Sequence, residues 1–305
     1  MATVLIAGGT GLIGTALTKA LVQKNYDVII LSRSKKSVSE KNVSYSVWDV
    51  NGQTIHEETV KKADFVIHVA GANVGEKRWK KERKKEIVDS RVNAAELITK
   101  ALREIPNHVK AVISSSAIGY YGPDRQNANA KPFIESDPPF SDFLATTVQK
   151  WENAMQPVKE RGKRLVVFRT GIVLSNEGGA YKEFKKPLKF GLASILGDGN
   201  QIISWIHVDD LVRLYIEAIE DENWSGVYNA VAPNPVSNRE LIKEMAKQAN
   251  GFHITAKIPS FMLKVVLGEM STEVLKSTTV SADKVQQQGF QFLFPTIQQA
   301  IVSLS

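Results

Sequence analysis

Residues 7–14 read AGGTGLIG, and this run of glycines restricts the fold more than any other feature of the chain. A short apolar stretch, TVLIAG, leads into it, and GTALTKALVQKN follows with apolar residues at helical spacing. Gly9, Gly11 and Gly14 satisfy G-x-G-x-x-G, while Gly8, Gly11 and Gly14 satisfy G-x-x-G-x-x-G. Between a strand and a helix each glycine has its own task. The first permits a tight turn, the second lets a pyrophosphate approach the backbone, and the third lets helix and strand pack closely. The phosphates then face unpaired N–H groups at the helix N-terminus. The alternative is a plain tight turn in an α/β protein.

The N-terminal half repeats this strand–helix rhythm. DVIILSR, SYSVWDV and DFVIHVAG read as strands two to four. Residues 84–104 then read as a long helix, with Ile87, Val88, Val92, Leu97, Ile98 and Leu102 on its buried side. KAVISSSA is strand five, DFLATTVQKWENAMQPVK a helix, and RLVVFRTGIVL strand six. Continuous apolar strands alternating with helices predict a mainly parallel sheet covered on both faces, the doubly wound Rossmann-type α/β class. From about Ser175 the rhythm changes to a Gly-rich basic insertion, then ISWIHVDDLVRLYIEAIE as a strand feeding a helix, and GVYNAVA as a strand. SNRELIKEMAKQAN opens with Ser237 and Glu240 at capping-box spacing. The tail reads as a smaller, mostly helical lobe closing over the C-terminal edge of the sheet. The expected division is a nucleotide-binding domain over 1–175, substrate-lobe insertions interleaved with the last sheet elements over 176–250, and a small C-terminal domain over 251–305.

Composition removes several classes of function. The 305 residues include no cysteine, which excludes disulfides, thiolate metal sites and cysteine nucleophiles. No apolar run approaches the roughly 20 residues of a membrane helix. MATVLIAGG lacks the basic start and cleavage site of a secretion signal, so a cytoplasmic protein is expected. The net charge is +7, and much of the excess sits in KRWKKERKK, from Lys77 to Lys85. This isolated run has no repeated basic–aromatic pattern and reads as a solvated helix face with the loop before it. Neither nucleic acid nor membrane is expected as a partner, although the charge favours an anionic cofactor or substrate. Oligomeric state is left open.

The end of strand two bears on the choice of cofactor. A site for NAD usually carries Asp or Glu there, holding the ribose hydroxyls. Here the residues are Leu31, Ser32 and Arg33, and Asp27 lies at the wrong end of the strand. An arginine beside a hydroxyl suits a ribose 2′-phosphate through charge-assisted hydrogen bonds, and Lys35 and Lys36 add positive charge. NADP(H), with NADPH favoured over NADH, is therefore the expected cofactor.

AGGTGLIG, HVAGANVGEKRW, SSAIGYYG and SWIHVDDLV together resemble the extended short-chain dehydrogenase/reductase superfamily. ERKKEIVDSRV and IPSFMLKVVLGEMSTEVL resemble its atypical NAD(P)-dependent epimerase-family branch, which carries a small C-terminal domain of unknown function. The resemblance spans essentially the whole chain. It implies that Gly8, Gly11, Leu12, Ile13 and Gly14 line the pyrophosphate, and that Ser32 and Arg33 receive the adenosine ribose phosphate. It implies that Asp49 faces the adenine, and that His68, Val69, Ala70 and Gly71 end strand four beside the cofactor. Arg91 and Asn93 would close the site from the following helix. For His68 the other reading is a strand residue in a satisfied hydrogen bond.

The superfamily's chemistry rests on a serine and on a Tyr-x-x-x-Lys pair that moves a proton while the nicotinamide moves a hydride. Ser115 or Ser116 fits the serine. The pair is missing: anchored on Glu152, the Tyr position falls at Phe143 or Leu144 and the Lys position at Thr147 or Val148. Tyr120 or Tyr121 can replace the acid, or the two can simply pack their loop. Glu135 and Asp137 are other donors. The expected function is an NADP(H)-binding oxidoreductase or epimerase-like enzyme acting on a small carbonyl or sugar-like substrate. The other possibility is an NADP(H)-sensing protein without turnover. His207, Asp209 and Asp210 read as structural rather than metal-ligating, with the two carboxylates capping a helix start.

Overall fold

The computed structural model describes residues 1–36, 41–126, 131–249 and 251–305. The expected helix end and segment boundary at Asn250, and part of the polar loop after strand five, lie outside the described residues. The first half comprises β1 (Thr3–Ala7), α1 (Leu12–Gln23), β2 (Asp27–Ser32), β3 (Val43–Asp49), β4 (Thr54–Ile55), α2 (Glu57–Lys62) and β5 (Phe65–His68). It continues through α3 (Lys81–Glu104), β6 (Ala111–Ala117), α4 (Phe143–Met155), α5 (Pro157–Glu160) and β7 (Arg164–Thr170). The second half holds β8 (Ile172–Leu174), α6 (Gly179–Leu188), β9 (Leu192–Leu196), β10 (Ile202–Ile203), β11 (Trp205–His207), α7 (Val208–Glu220) and β12 (Gly226–Ala230). It ends with β13 (Val236–Ser237), α8 (Asn238–Gln248), β14 (Ile254–Ile258), α9 (Ser260–Leu267), α10 (Ser271–Leu275), α11 (Asp283–Gln287) and α12 (Ile297–Ser303).

The central sheet has eight strands in the order β12-β7-β6-β5-β1-β2-β3-β4, all parallel except the β3–β4 pair. Strand order reverses between β1 and β5, and in such sheets the crevice beyond the strand ends at that point takes ligands. Each buried strand feeds both faces. Val4, Ile6 and Ile113 join α1 and α7 in one core, whereas Leu5, Val66 and Val112 join α3, α4 and α5 in the other. This is the Rossmann-type arrangement expected from the continuous apolar strands.

Several elements differ from the sequence reading. Strand six is two strands, because Gly171 leaves the sheet: a Cβ there would stand 2.6 Å from the Ser204 carbonyl oxygen. Beyond this crossing β8 pairs with β11 in a second, two-stranded sheet. The expected helix over residues 142–159 breaks at Pro157, which starts the separate α5. The basic insertion contains α6 and β9, with Tyr181 and Leu188 buried. The tail is less helical than expected, since β14 pairs in parallel with β9. Its last helix shares one core with α6 and α8 through Ile297, Ala300, Ile301, Leu241 and Tyr181.

Asp210 is fully buried and ties this tail to α7. Its carboxylate accepts hydrogen bonds from the Leu293 and Phe294 N–H groups at 2.8 and 2.9 Å, and from Arg213 at 3.0 Å. The expectation that Asp209 and Asp210 cap α7 is corrected: His207 is the cap, accepting the Asp209 N–H on Nδ1. Among the described residues no group of three potential ligands could hold a metal, and no helix is long and apolar enough to cross a membrane.

His68 is fully buried on the α4 side, edge-on to the Trp151 ring at 5.7 Å, and neither ring nitrogen has a hydrogen-bond partner. The expected satisfied hydrogen bond is therefore absent. Burial lowers its pKa from 6.5 to about 4.

Asp210→Ala should lower unfolding free energy by about 2–4 kcal/mol, since two buried N–H groups and an arginine lose their acceptor. Urea melts would measure the loss, and hydrogen exchange should quicken around residues 290–296; unchanged stability would contradict the tether. His68 gives a pH signature. Between about pH 6.5 and 4 the unfolded chain binds a proton that the fold refuses. Its contribution is full above pH 6.5 and declines by about 3 kcal/mol as pH falls through that window. His68→Leu should therefore flatten the stability–pH profile between pH 7 and 4.5; parallel profiles for the two proteins would refute this account.

Candidate active site

The glycine turn sits at the reversal of strand order, and its four glycines are not equivalent. Gly8 has φ +93°, and a Cβ on it would lie 2.7 Å from the backbone of Val69 and Ala70. A Cβ on Gly14 would lie 2.2 Å from the Gly8 carbonyl oxygen, so this glycine seats α1 against the turn. Gly9 faces Ile30 at 2.7 Å and is fixed by packing. At Gly11 the nearest atom is 3.4 Å away, and open space adjoins the backbone. The Gly8–Gly11–Gly14 register thus divides the three tasks. The space at Gly11 lies beside the start of α1, which has no side-chain cap and no acidic residue in its first turn. The Leu12, Ile13 and Gly14 N–H groups there can serve an anion.

Around this start three loops converge. Val69, Ala70 and Gly71 follow β5 directly behind Gly8. Arg91 of α3 packs on Gly71, with its guanidinium carbon 3.0 Å from where a Cβ would stand. Arg91 donates to the Ile87 carbonyl at 2.9 Å and lies over the Trp151 ring, and it has no carboxylate partner among the described residues. Burial lowers its pKa to about 10. A buried cation with no counter-charge is unfavourable, and an anion at this loop would relieve it. From the other side, Gly178 and Gly179 at the start of α6 rest on the Leu12 side chain.

At the end of β2, Leu31 and Ser32 are buried and Arg33 is exposed. Arg33 makes no ion pair among the described residues, and Lys35 and Lys36 beside it are exposed. Asp49, at the end of β3, accepts the Asn51 N–H at 3.0 Å and so shapes its own turn. Because β1, β2 and β3 are adjacent and parallel, these residues lie at the same edge of the sheet as the glycine turn.

The expected chemical residues divide. Ser116 is buried and donates to Glu152 Oε1 at 2.6 Å. Ser115 points to the opposite face of β6, beside the buried Tyr215 hydroxyl. Tyr121 is buried, donates to Asn229 Oδ1 at 2.6 Å and accepts from Arg169 at 3.0 Å. Burial pushes its pKa up to about 12. Tyr120 is half-buried, its ring lying 3.4 Å from the Arg169 guanidinium carbon, and its hydroxyl has no partner among the described residues. The neighbouring Gly119 abuts Leu144 of α4, one of the positions where the superfamily's tyrosine was sought. Val148 is buried and Lys150 exposed, so α4 offers neither member of the usual pair. Glu135 accepts the Asn229 N–H at 2.8 Å. Asp137 accepts from Ile134 N–H and Arg125, which outweigh its burial and hold its pKa below the usual range.

Sequence reasoning missed the residue that joins these groups. Arg169 of β7 is buried and forms a two-point ion pair with Glu152 at 2.8 and 2.9 Å. Burial alone would make its charge less stable, but Glu152 more than reverses this and raises its pKa. The signal was present: an arginine inside the apolar run RLVVFRTG must find a buried partner.

The C-terminal lobe is tied to the first half of the chain by charged side chains. Arg78, in the loop after β5, donates to the Val265 and Val266 carbonyls at the end of α9. Lys84 pairs with Glu269, and Lys276 with Glu273 and Asp142 at the start of α4.

Residues 4–230 match the NAD dependent epimerase/dehydratase family, and residues 258–304 match a domain of unknown function, DUF1731. An epimerase family protein of Staphylococcus saprophyticus is 36% identical over 300 residues, covering 98% of each chain. The structure of the human epimerase family protein SDR39U1 with NADPH superposes with a TM-score of 0.86 at 28% identity, covering 99% of this chain and 98% of that one. A nucleoside-diphosphate sugar epimerase from Corynebacterium glutamicum gives a TM-score of 0.78 at 31% identity, covering 99% of this chain and 58% of that one. Matched by the family model over residues 4–230, this chain belongs to the NAD-dependent epimerase/dehydratase family.

Proposed function

We propose that this chain is an NADP(H)-dependent oxidoreductase or epimerase-like enzyme acting on a small carbonyl or sugar-like substrate. The observation that carries the reading is the open backbone at Gly11 beside the uncapped start of α1, with the unpaired Arg91 behind it. In this reading Leu12, Ile13 and Gly14 donate N–H groups to the pyrophosphate, and Arg91 supplies charge through the Gly71 loop. Ser32 and Arg33 hold the 2′-phosphate of the adenosine ribose. The human relative was solved with NADPH and sugar-nucleotide epimerases of the same fold with NAD, so the preference for NADPH rests on Ser32 and Arg33. The nicotinamide supplies or accepts a hydride at the substrate carbon.

Tyr120 is the residue we assign to the proton. Arg169 fixes its ring from below, and the hydroxyl is free of internal partners. Tyr121 and Ser116 act as support, because both spend their hydrogen bonds inside the Arg169–Glu152 network. The apolar Leu144 and Val148 favour a second reading, a cofactor-sensing protein without turnover, and the same experiments separate the two.

Nicotinamide fluorescence titrations should show NADPH binding more tightly than NADH. Arg33→Ala should weaken NADPH alone by roughly tenfold or more, the scale of a hydrogen bond to a charged group. Gly11→Ala, which has room in the fold, should weaken both nucleotides while leaving the melting temperature unchanged. Absence of binding by either nucleotide would remove the reading.

In a screen of carbonyl and sugar-nucleotide substrates, Tyr120→Phe should cut turnover by about 10²–10⁴-fold with unchanged NADPH affinity, as expected on losing a general acid. Full activity in this variant would move the proton elsewhere. NADPH binding with no turnover of any substrate would favour the sensing protein.

A further inference from the structure

Helix α9 breaks the usual pattern of a globular protein. Its sequence, SFMLKVVL, is apolar around most of its circumference, yet only Leu263 is buried. Phe261, Met262, Val265 and Val266 are 67, 46, 71 and 64% exposed. At 100° per residue these four fall on one continuous stripe, with Leu263 and Leu267 on the inner side and Lys264 at the margin. A helix apolar on nearly every side is normally covered on every side.

The surface next to this stripe carries a cluster of lysines. Arg78 grips the last carbonyls of α9, and Lys84 pairs with Glu269 just beyond it. This places the Lys77–Lys85 run against the end of the helix. Lys77, Lys80 and Lys81 of that run are exposed, as are Glu82 and Lys85, the latter paired with Asp89. Arg83 is turned inward to Asn73, Glu76 and Glu86 and takes no part.

We propose that α9 and the adjoining basic run form a docking surface for an anionic phospholipid bilayer. This departs from the expectation drawn from the sequence, in which the basic run was a solvated face and no membrane partner was foreseen. An interfacial helix inserts an apolar face at the headgroup boundary while neighbouring lysines meet anionic lipid, and α9 with its flank supplies both. A second copy of the chain fits less well. An isologous contact through the stripe would bring two basic runs together, and two turns of helix expose only a few hundred Å², short of the roughly 800 Å² per partner in stable complexes. A bilayer imposes no such minimum. The proposal is independent of the catalytic reading, and its test does not use turnover.

The full-length protein would be sedimented with vesicles of phosphatidylcholine alone and with vesicles of equal parts phosphatidylglycerol and phosphatidylcholine. It should pellet with the anionic vesicles, weakly with the neutral ones, and less as salt rises. The exposed double variant Phe261→Ser/Val265→Ser and the triple variant Lys77→Gln/Lys80→Gln/Lys81→Gln should each lower partitioning by roughly tenfold or more with unchanged melting temperature. No sedimentation of the parent protein at low salt would overturn the proposal, as would full binding by the serine variant, which would reduce the effect to charge alone. A parent dimer that the serine variant converts to monomer would assign the stripe to a second copy and overturn it equally.

Discussion

The ion pair between Arg169 and Glu152 is the contact on which the middle of the molecule depends. It joins the interior of β7 to α4, and its remaining hydrogen bonds reach the loop after β6 and, through Tyr121 and Asn229, the edge strand β12. Both charges are nearly excluded from water. A pair of this kind contributes little net stability, but removing one member strands the other and is strongly destabilising. The network therefore specifies more than it stabilises. It holds Tyr121 and Ser116 in fixed positions and places the Tyr120 ring on a rigid cationic platform. The superfamily gives order at this place to a tyrosine and lysine on the helix; here the order comes from beneath, out of the sheet.

At the other side of the crevice the governing constraint is steric. Three of the four glycines in the turn have no room for a side chain, because backbone or Ile30 fills the space. Only Gly11 faces an opening. The turn is thus tightly built everywhere except at the point where a phosphate would approach. Arg91 adds the electrostatic part, a mostly buried cation behind Gly71 without an internal counter-charge. In the proposed reading, the shape and the charge at this end serve the same anion. Arg78, Lys84 and Lys276 tie the C-terminal lobe to the loop after β5 and to the starts of α3 and α4.

Much of this was legible in the amino-acid order. Most of the six expected strands of the sheet were found from apolar runs, because strands buried on both faces leave no alternation to misread, although β3 is partly exposed. The glycine spacing located the turn, and Arg33 at the end of β2 followed from local position alone. What stayed hidden was non-local. Gly171 reads as one more strand residue until Ser204, thirty-three positions on, is found against it. The tail looked helical because β14 is five residues of weak pattern, ITAKI, and its partner β9 lies some sixty residues away. His207 displaced the neighbouring aspartates as helix cap because Asp210 was drawn to the backbone of residues 293 and 294.

The sequence by itself determined the class of fold and the place of the glycine turn, since both follow from short-range patterns: strand hydrophobicity, helical period and glycines at fixed spacing. Tertiary structure decided which side chains remain free to do chemistry. In SSAIGYY the sequence left two choices open, Ser115 or Ser116 as the serine and Tyr120 or Tyr121 as the acid. Packing separated them, burying Ser116 and Tyr121 against an ion pair formed by residues 17 positions apart and leaving Tyr120 without an internal partner. The reason is physical: a hydroxyl's role depends on which groups compete for its hydrogen bonds, and those competitors arrive from other elements only when the chain is folded.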